Sequence, residues 1–286
     1  AAIADLEDVL KKPARIRKII MDELADVAKK YGQPRRSEIL YEAPEEAEEE
    51  AAPAMADYPV TAFFTREGYF KKITPQSLRM SGEQKLKEGD EIIWQAETRN
   101  NVELLFFTNQ CQVYKCRVGD FEDGKASAMG AYIASTLGMD EGEAPIFMLL
   151  TMDYSGWMLF FYENGKCAKV PLASYQTKQN RRKLLKAYSD KAPLAKMLFI
   201  PEETELAIRT SAERMLLLGT AQISEKATRD SIGVAVITLK KNQRIVSVKP
   251  AAEVELANPH RYRVRSLPAA GALLREEDTA EQMTLL

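Results

Sequence analysis

The sequence predicts an all-β, propeller-like domain that is preceded by a short α-helical segment. From about residue 57 the chain consists of short strands rich in β-branched and aromatic residues, separated by Gly, Asn and Asp. One turn-and-strand pattern recurs four times in this region. Residues 4–31 instead carry apolar side chains at steps of three and four, which indicates helix.

The first 41 residues are predicted to form two helices, which the residues alone indicate as a hairpin that packs on a neighbour. Leu6 belongs to the apolar stripe of the first helix. Pro13 suits the first turn of the second helix, where its missing N–H is not needed. Gly32 is expected to end that helix in a left-handed conformation, and Pro34 prevents the helix from resuming. Because the chain opens directly on a helix, we expect a longer protein to precede it.

An acidic linker is predicted at residues 42–56, where like charges extend the chain. The formal net charge of the whole chain is −2. Residues 1–54 carry 9 Lys/Arg against 13 Asp/Glu, whereas residues 55–286 carry 31 against 29. Basic charge is therefore local rather than general, and the net charge alone does not select a partner.

The repeated pattern is seen in "TREGYFKKI", "TNQCQVYKC", "YENGKCAKV" and "TSAERMLLL". Their turn residues are Gly68, Cys111, Gly165 and Glu213, with spacings of 43, 54 and 48 residues. A period of this length with about four strands per unit is typical of a propeller. We predict four clear blades over residues 57–271, with a possible partial fifth built from "RIVSVKP" and "HRYRVRSL", and a mobile acidic tail at 272–286.

Several function classes are disfavoured by composition. The three cysteines are an odd and sparse set, which predicts reduced thiols in a cytoplasmic protein. His260 is the one histidine, so no metal site is expected. The most apolar run, "IFMLLTMDYSGWMLFFY", is broken by Asp153 and Gly156 and is interpreted as a hairpin, so no membrane partner is expected. No phosphate-binding Gly-x-x-x-x-Gly-Lys loop is present, and we assign no catalytic residue.

Four stretches resemble the A subunits of bacterial type IIA topoisomerases, the family of DNA gyrase and topoisomerase IV. The run Tyr31–Ile39 after "IIMDELADVAKK" is similar to the junction between their breakage–reunion core and their C-terminal domain. The resemblance therefore implies that residues 1–41 are the helical end of such a core. "VTAFFTREGYFKKI" and "LLFFTNQCQVYKCRV" resemble the first two blades of that domain, and "ATRDSIGVAVITL" resembles the segment after the fourth.

The resemblance implies a β-pinwheel, a propeller in which neighbouring blades exchange strands. It implies that the outer rim binds and bends duplex DNA without sequence preference and presents it to the catalytic core for ATP-dependent strand passage. The implied protein partners are a second A subunit, which dimerises through the core, and the B-type ATPase subunit. The strand-cleaving tyrosine, ATP and Mg²⁺ would belong to other parts of the holoenzyme, and this chain would need no cofactor of its own.

One loop departs from the gyrase pattern. Gyrase carries a Gln-Arg-Arg-Gly-Gly-Arg/Lys-Gly box after its first blade, used for wrapping DNA. The matching loop here, Arg79-Met80-Ser81-Gly82-Glu83-Gln84-Lys85, keeps one arginine, one glycine and one lysine. This difference favours relaxation or decatenation, as in topoisomerase IV, over gyrase-type negative supercoiling.

The predicted DNA-binding site consists of cations, because phosphate contacts release condensed counterions from DNA. In the first blade, we expect Lys71 or Lys72 to reach outward from a strand whose apolar side chains anchor it. The complete predicted set is Lys71, Lys72, Arg79, Lys85, Lys115, Arg117, Lys169, Arg181, Arg182, Lys183, Arg214 and Arg229. The alternative is a propeller-type protein-interaction module without DNA binding, which the near-neutral charge of residues 55–286 favours.

Overall fold

The computed structural model describes residues 2–33, 56–81, 83–177 and 182–279. The chain divides into two compact units, Ala1–Ala54 and Met55–Leu286. Most of the predicted acidic linker lies outside the described residues, and so does the larger part of the junction stretch that begins at Tyr31.

The first unit contains helices α1 (Ala2–Lys11) and α2 (Pro13–Tyr31). Pro13 opens α2, as the sequence predicts. Gly32 follows α2 but is extended, with φ −60° and ψ 133°, so the expected left-handed conformation is wrong. Glycine is nevertheless required there, because a Cβ atom would lie 2.2 Å from the carbonyl oxygen of Ala28.

The described part of the second unit forms sixteen strands and three short α-helices. The helices are α3 (Pro75–Arg79), α4 (Ile133–Thr136) and α5 (Glu276–Thr279). The strands are β1 (Pro59–Thr65), β2 (Tyr69–Ile73), β3 (Ile92–Arg99), β4 (Glu103–Thr108), β5 (Val113–Arg117), β6 (Ala131–Tyr132), β7 (Pro145–Thr151), β8 (Trp157–Tyr162), β9 (Lys166–Pro171), β10 (Lys183–Leu184), β11 (Leu194–Ile200), β12 (Glu205–Thr210), β13 (Arg214–Gly219), β14 (Val234–Ala235), β15 (Ile245–Pro250) and β16 (Ala272–Leu273).

These strands make four antiparallel sheets of four strands, in the orders β3-β1-β2-β6, β10-β5-β4-β7, β11-β8-β9-β14 and β15-β12-β13-β16. The short strand β6 lies between β5 and β7 in the chain but pairs with β2 of the first sheet. In the same way β10 pairs with β5 and β14 pairs with β9. Each of the first three sheets is thus completed by a strand that the chain supplies after entering the next sheet. The predicted four-bladed, strand-exchanged fold is confirmed.

The core lies between successive sheets, which stack face to face. In β4, Leu104 and Phe106 pack in the cluster shared with the first sheet, whereas Leu105 and Phe107 pack in the cluster shared with the third. Side chains alternate between the two faces of a strand, so a strand buried on both faces must be apolar throughout. This explains continuous runs such as "LLFF", which the sequence places in four successive hairpins.

The four predicted turn residues share one backbone conformation. Gly68, Cys111, Gly165 and Glu213 have φ values of +84°, +55°, +84° and +52°. Positive φ is the geometry that a tight antiparallel turn requires, and glycine adopts it most readily. The alignment on these residues therefore marks structurally equivalent hairpins.

The predicted partial fifth blade is absent from the described residues. "RIVSVKP" contains β15, which is the edge strand of the fourth sheet. "HRYRVRSL" forms the segment that docks on β13 of that same sheet, where the Leu217 N–H donates to the Tyr262 carbonyl and the Val264 N–H donates to the Leu217 carbonyl.

The chain remains ordered beyond residue 271, into the predicted tail. Ala272 and Leu273 form β16, and the Asp278 side chain is buried. Asp278 accepts hydrogen bonds from the Tyr262 hydroxyl and from the Ala257 N–H. The tail therefore contributes the fourth strand of the last sheet and a buried carboxylate beside it. In the part of the chain that the structure describes, no helix has the length and apolar character needed to cross a membrane.

Candidate nucleic-acid interface

The lysine that recurs in three hairpins is an internal residue. Lys72, Lys115 and Lys169 each lie four residues after their turn residue. Lys72 and Lys169 are only 2% exposed, and the Lys115 side chain is 12% exposed. The expectation that Lys72 reaches outward from its strand is wrong, and Lys169 is equally buried. An exchanged segment docks beside the strand that carries each of these two lysines.

Lys72 contacts two residues of the first blade, Tyr58 and Asn100, and one residue of the exchanged segment, Asp123. Its ammonium donates to the Asn100 side-chain oxygen and lies 3.3 Å from the carboxylate of Asp123. The ammonium also lies 5.6 Å from the centroid of the Tyr58 ring, within cation–π range. Asp123 belongs to the segment that leads to β6, and its backbone bridges to that of Lys72. This lysine therefore fastens the exchanged segment to the blade.

Lys169 is the buried equivalent in the third blade, and its backbone bridges to that of Glu225 in the exchanged segment. Its ammonium pairs with Glu203 and donates to the Thr220 carbonyl at 3.3 Å. It lies 4.7 Å from the Trp157 ring centroid, and the Trp157 indole N–H donates to Glu225 at 2.8 Å. Burial would raise the pKa of Glu203, but the hydrogen bonds from Lys169 and Thr220 outweigh burial and hold that pKa below its usual value.

Lys115 is the equivalent residue in the second blade, where it is less buried and its carboxylate partner is farther away. Its ammonium donates to the Thr177 hydroxyl at 3.2 Å and lies 3.9 Å from Glu103. The Tyr154 ring centroid is 5.0 Å away. Burial lowers the pKa of Lys115, and the Glu103 carboxylate opposes that shift. In the fourth blade Leu217 occupies the equivalent position, as expected from the sequence, and is buried.

Lys71 is buried as well, at 3% exposure, with different partners. Its ammonium donates to the backbone carbonyls of Lys85 at 3.2 Å, Ala126 at 3.4 Å and Ala128 at 3.0 Å. Burial lowers the pKa of Lys71. The expectation that Lys71 reaches outward is therefore also wrong, because its head points into the protein between two loops.

Three further predicted cations are half-buried and bind neighbouring groups. Lys183 pairs with Asp140 at 2.7 Å, and this hydrogen bond raises the pKa of Lys183. Arg214 donates to the Gly271 carbonyl at 2.7 Å, beside β16. Arg229 donates to the Ser174 carbonyl at 3.0 Å. These side chains connect loops and exchanged segments. Their charged groups already have partners within the protein.

The remaining five residues of the predicted set differ in exposure, and four of them lie within the described residues. Arg117 is half-buried at the end of β5, and its backbone N–H donates to Asp120 at 2.8 Å. Arg182 is exposed directly before β10. Arg181 lies outside the described residues. Arg79 and Lys85 are both exposed, on the loop between β2 and β3.

Lys85 and Lys125 are exposed on two segments in backbone contact, and Arg79 is exposed on the same loop as Lys85; we call these three residues the first-blade cation surface. Arg79 ends α3, whose start is capped by the Thr74 hydroxyl accepting from the Ser77 N–H at 3.4 Å. The Lys85 N–H donates to the Ala126 carbonyl at 2.8 Å, so this loop lies against the exchanged segment that carries Lys125. A groove between the two is lined by Ser77, Met80, Ser81, Glu83, Lys125, Ala126 and Ser127.

Lys125 is absent from the predicted set because it follows acidic residues and is not part of a basic cluster in the sequence. Glu122 and Asp123 precede it, and nothing nearby repeats a basic pattern. The signal that could have found it is strand exchange, since exchange returns the segment after β5 to the first blade.

Comparison with known proteins identifies relatives over most of the chain. No family model matches it. It is 28% identical over 251 residues to the A subunit of DNA topoisomerase 4 from Bacillus subtilis (strain 168), covering 86% of this chain and 31% of that protein. The A subunit of DNA gyrase from Mycolicibacterium smegmatis is 28% identical over 189 residues, covering 63% and 22%. The chain thus spans a third or less of these relatives.

Two solved structures share the fold. The C-terminal domain of a DNA topoisomerase IV has a TM-score of 0.63 at 22% identity, covering 76% of this chain and 73% of that one. The C-terminal domain of E. coli ParC has a TM-score of 0.59 at 14% identity, covering 76% and 94%. The chain is therefore a homologue of the A subunits of topoisomerase IV and DNA gyrase, and its second unit has the β-pinwheel fold of these two C-terminal domains.

Proposed function

We propose that the β-pinwheel unit binds and bends duplex DNA without sequence preference, as the C-terminal domain of the A-type polypeptide of a type IIA topoisomerase. The observation that carries this proposal is the first-blade cation surface. Arg79, Lys85 and Lys125 are exposed there on two loops in backbone contact, and the loop with Arg79 and Lys85 matches the DNA-wrapping box of gyrase in position.

The contact would be electrostatic. Lys and Arg side chains neutralise phosphates and release condensed counterions, so affinity falls as salt rises. Contacts to phosphate carry no direct sequence information, which accounts for the absence of preference. Because the recurring lysines are internal, fewer cations are free for DNA than the sequence predicts. We therefore expect fewer phosphate contacts and a bend rather than a full wrap.

In the intact enzyme, this unit would present DNA to the catalytic core for ATP-dependent strand passage in the cytoplasm. The core, with its strand-cleaving tyrosine, would come from another part of the same polypeptide, which dimerises through it. ATP and Mg²⁺ would be held elsewhere in the holoenzyme, including its B-type subunit. We favour relaxation or decatenation over negative supercoiling, because the loop Arg79–Lys85 keeps one arginine of the box.

DNA binding is tested by titrating a fluorescent linear duplex with this chain between about 50 and 200 mM salt, where phosphate contacts respond strongly. The variant R79A/K85A/K125A should bind on the order of 100-fold more weakly at about 0.1 M salt. Its plot of log association constant against log salt should be shallower by up to about 2.7, which is about 0.9 for each lost contact. The matched control K191A/K196A/K249A removes the same charge from exposed lysines elsewhere and should keep both values.

Equal losses in both variants would mean that general charge, rather than the first-blade cation surface, drives binding. Absence of binding by the unmodified chain at the lowest salt would overturn the proposal. That result would favour the protein-interaction module, which the near-neutral charge of residues 55–286 supports.

A further inference from the structure

Lys71 lies beneath two loops that come from distant parts of the chain. The first is the segment between β2 and β3, which carries Arg79 and Lys85. The second is the exchanged segment around Lys125, which arrives from the next blade. One backbone hydrogen bond, from the Lys85 N–H to the Ala126 carbonyl, joins them directly. The Lys71 ammonium adds three more bonds, one to the first loop and two to the second.

Lys71 has no equivalent lysine in the other blades. The recurring lysine lies four residues after the turn residue, whereas Lys71 lies three residues after it. The other hairpins have Tyr114, Ala168 and Leu216 at that place. The first blade also differs in its loop between β2 and β3, because the corresponding segments of the later blades supply the exchanged strands β6, β10 and β14. A lysine at this position and a loop between β2 and β3 thus occur together in the first blade, and neither is found in the other three blades.

We propose that Lys71 is a positioning residue that clamps these two loops into a single DNA-facing surface without touching DNA itself. This inference rests on the proposed DNA binding, but the clamp can be measured without DNA. Through its three carbonyl partners, Lys71 would hold Arg79, Lys85 and Lys125 at fixed spacing. Fixed spacing matters because ordering three long side chains and two loops only on contact with DNA costs conformational entropy.

The choice of partners supports a role in the cation surface. A buried ammonium must have its donors satisfied, and three carbonyl oxygens satisfy three N–H groups. Lys72 and Lys169 use carboxylates for part of this task, which cancels their charge. The hydrogen bonds described for Lys71 go to carbonyls, so its positive charge is retained just below the surface that is proposed to attract phosphate.

The clamp is tested first in the unmodified chain by NMR of lysine side-chain ammonium groups. Ammonium protons on exposed lysines exchange rapidly with water, whereas the Lys71 group should give a slowly exchanging signal at neutral pH. The K71M variant should lose that signal and the hydrogen-exchange protection of the Lys85 amide. Amides of β8 and β12, in the third and fourth sheets, should keep their protection. A Lys71 group that exchanges as fast as the exposed Lys249 would overturn the clamp, whether or not DNA binds.

The positioning role is tested by combining K71M with R79A/K85A/K125A in the DNA titration. Alone, K71M should weaken binding and flatten the salt dependence in the same direction as the triple variant. In the triple background, K71M should have no further effect, because the side chains that it positions are gone. The control K169M removes a buried lysine from the third blade and should leave the salt dependence unchanged in both backgrounds.

Two outcomes would overturn the inference. Equal, multiplicative losses from K71M in both backgrounds would mean that it acts through general stability. Unchanged affinity and salt dependence in folded K71M, with the Lys85 amide deprotected, would mean that the clamp exists but does not serve DNA. If K71M does not fold, K71Q keeps two N–H donors and should show intermediate values in each measurement.

Discussion

Whether a cationic side chain of this protein is available to a partner depends on the residues that surround its charged group. Lys72 and Arg79 lie seven residues apart, and both suit a phosphate contact by charge. Arg79 is exposed, whereas the head of Lys72 lies between Asn100, Tyr58 and Asp123. Because a buried charge without partners is very unfavourable, these contacts must form together with the fold. The recurring lysine is thus part of the stability of the blade, and its repetition reflects the repetition of the fold.

The variant K169M should therefore destabilise the chain. It removes a buried ammonium that pairs with Glu203 and donates to the Thr220 carbonyl. We expect the free energy of unfolding to fall by about 1.5–3 kcal/mol, the usual value of hydrogen bonds to a charged group. Urea unfolding followed by tryptophan fluorescence measures this, since the Trp157 ring lies against Lys169.

The repeat supplies the control. Leu217 occupies the equivalent position in the fourth blade, so L217M conserves volume at a site without a charge. Its cost should stay under about 1.5 kcal/mol. If K169M proved as stable as L217M, the buried lysine would not be a fastener.

At the scale of elements, the distinctive feature is the short exchanged strand. The exchanged strands β6, β10 and β14 have two residues each, as does β16 of the tail, and such strands are too short to be stable alone. In the first and third blades they stay in place because the preceding segment bridges to the blade, as Asp123 does to Lys72 and Glu225 does to Lys169. Close approach of the two backbones is therefore required just before the short strand.

Gly233 shows how strict this requirement is. It precedes β14 with φ +77°, and a Cβ atom there would lie 1.9 Å from the carbonyl oxygen of Cys167 in β9. G233A should displace β14 and destabilise the third blade by more than the roughly 1–3 kcal/mol that a strained backbone alone costs. Hydrogen exchange at the Val236 amide, which donates to the Gly165 carbonyl at 2.9 Å, and urea unfolding both report this loss.

Gly89 provides a matched control for that substitution. Its φ is also +77°, but a Cβ atom there would meet nothing within 4 Å. G89A therefore carries the same backbone strain without the collision. Comparable losses of stability in G89A and G233A would show that docking of β14 tolerates a side chain.

At the scale of the whole molecule, the arrangement of blades would decide what happens to bound DNA. Blades related by rotation would present cations along a curved path, and a duplex that follows the path must bend. Bending by tens of degrees costs about 1–6 kcal/mol. The structure leaves a limited set of exposed cations to offset this, because Lys71, Lys72 and Lys169 are internal.

We therefore expect bending without chiral wrapping. A nicked plasmid is ligated with increasing amounts of this chain at low salt, the protein is removed, and the linking number is read on a gel. Retarded DNA in a gel-shift assay with an unchanged linking number is the expected result. A clear positive shift would mean that the pinwheel wraps DNA despite the reduced box at Arg79–Lys85, and would favour a gyrase-like activity.

The sequence by itself determined the hairpins, their number and their order. Apolar runs such as "LLFF" and the turn residues Gly68, Cys111, Gly165 and Glu213 are local signals, because strand burial and positive φ depend on a few adjacent residues. The two helices followed from their period for the same reason. The resemblance of four stretches to one family then supplied the strand exchange and the proposed DNA partner.

Only the tertiary structure decided which cations are available. Whether Lys72 is exposed depends on Asp123, 51 residues later, and the surroundings of Lys71 depend on Ala126 and Ala128. The same folding back of the chain brought Lys125 beside Lys85. Burial of a charge is a property of contacts between distant segments, and no local pattern in a sequence records those contacts.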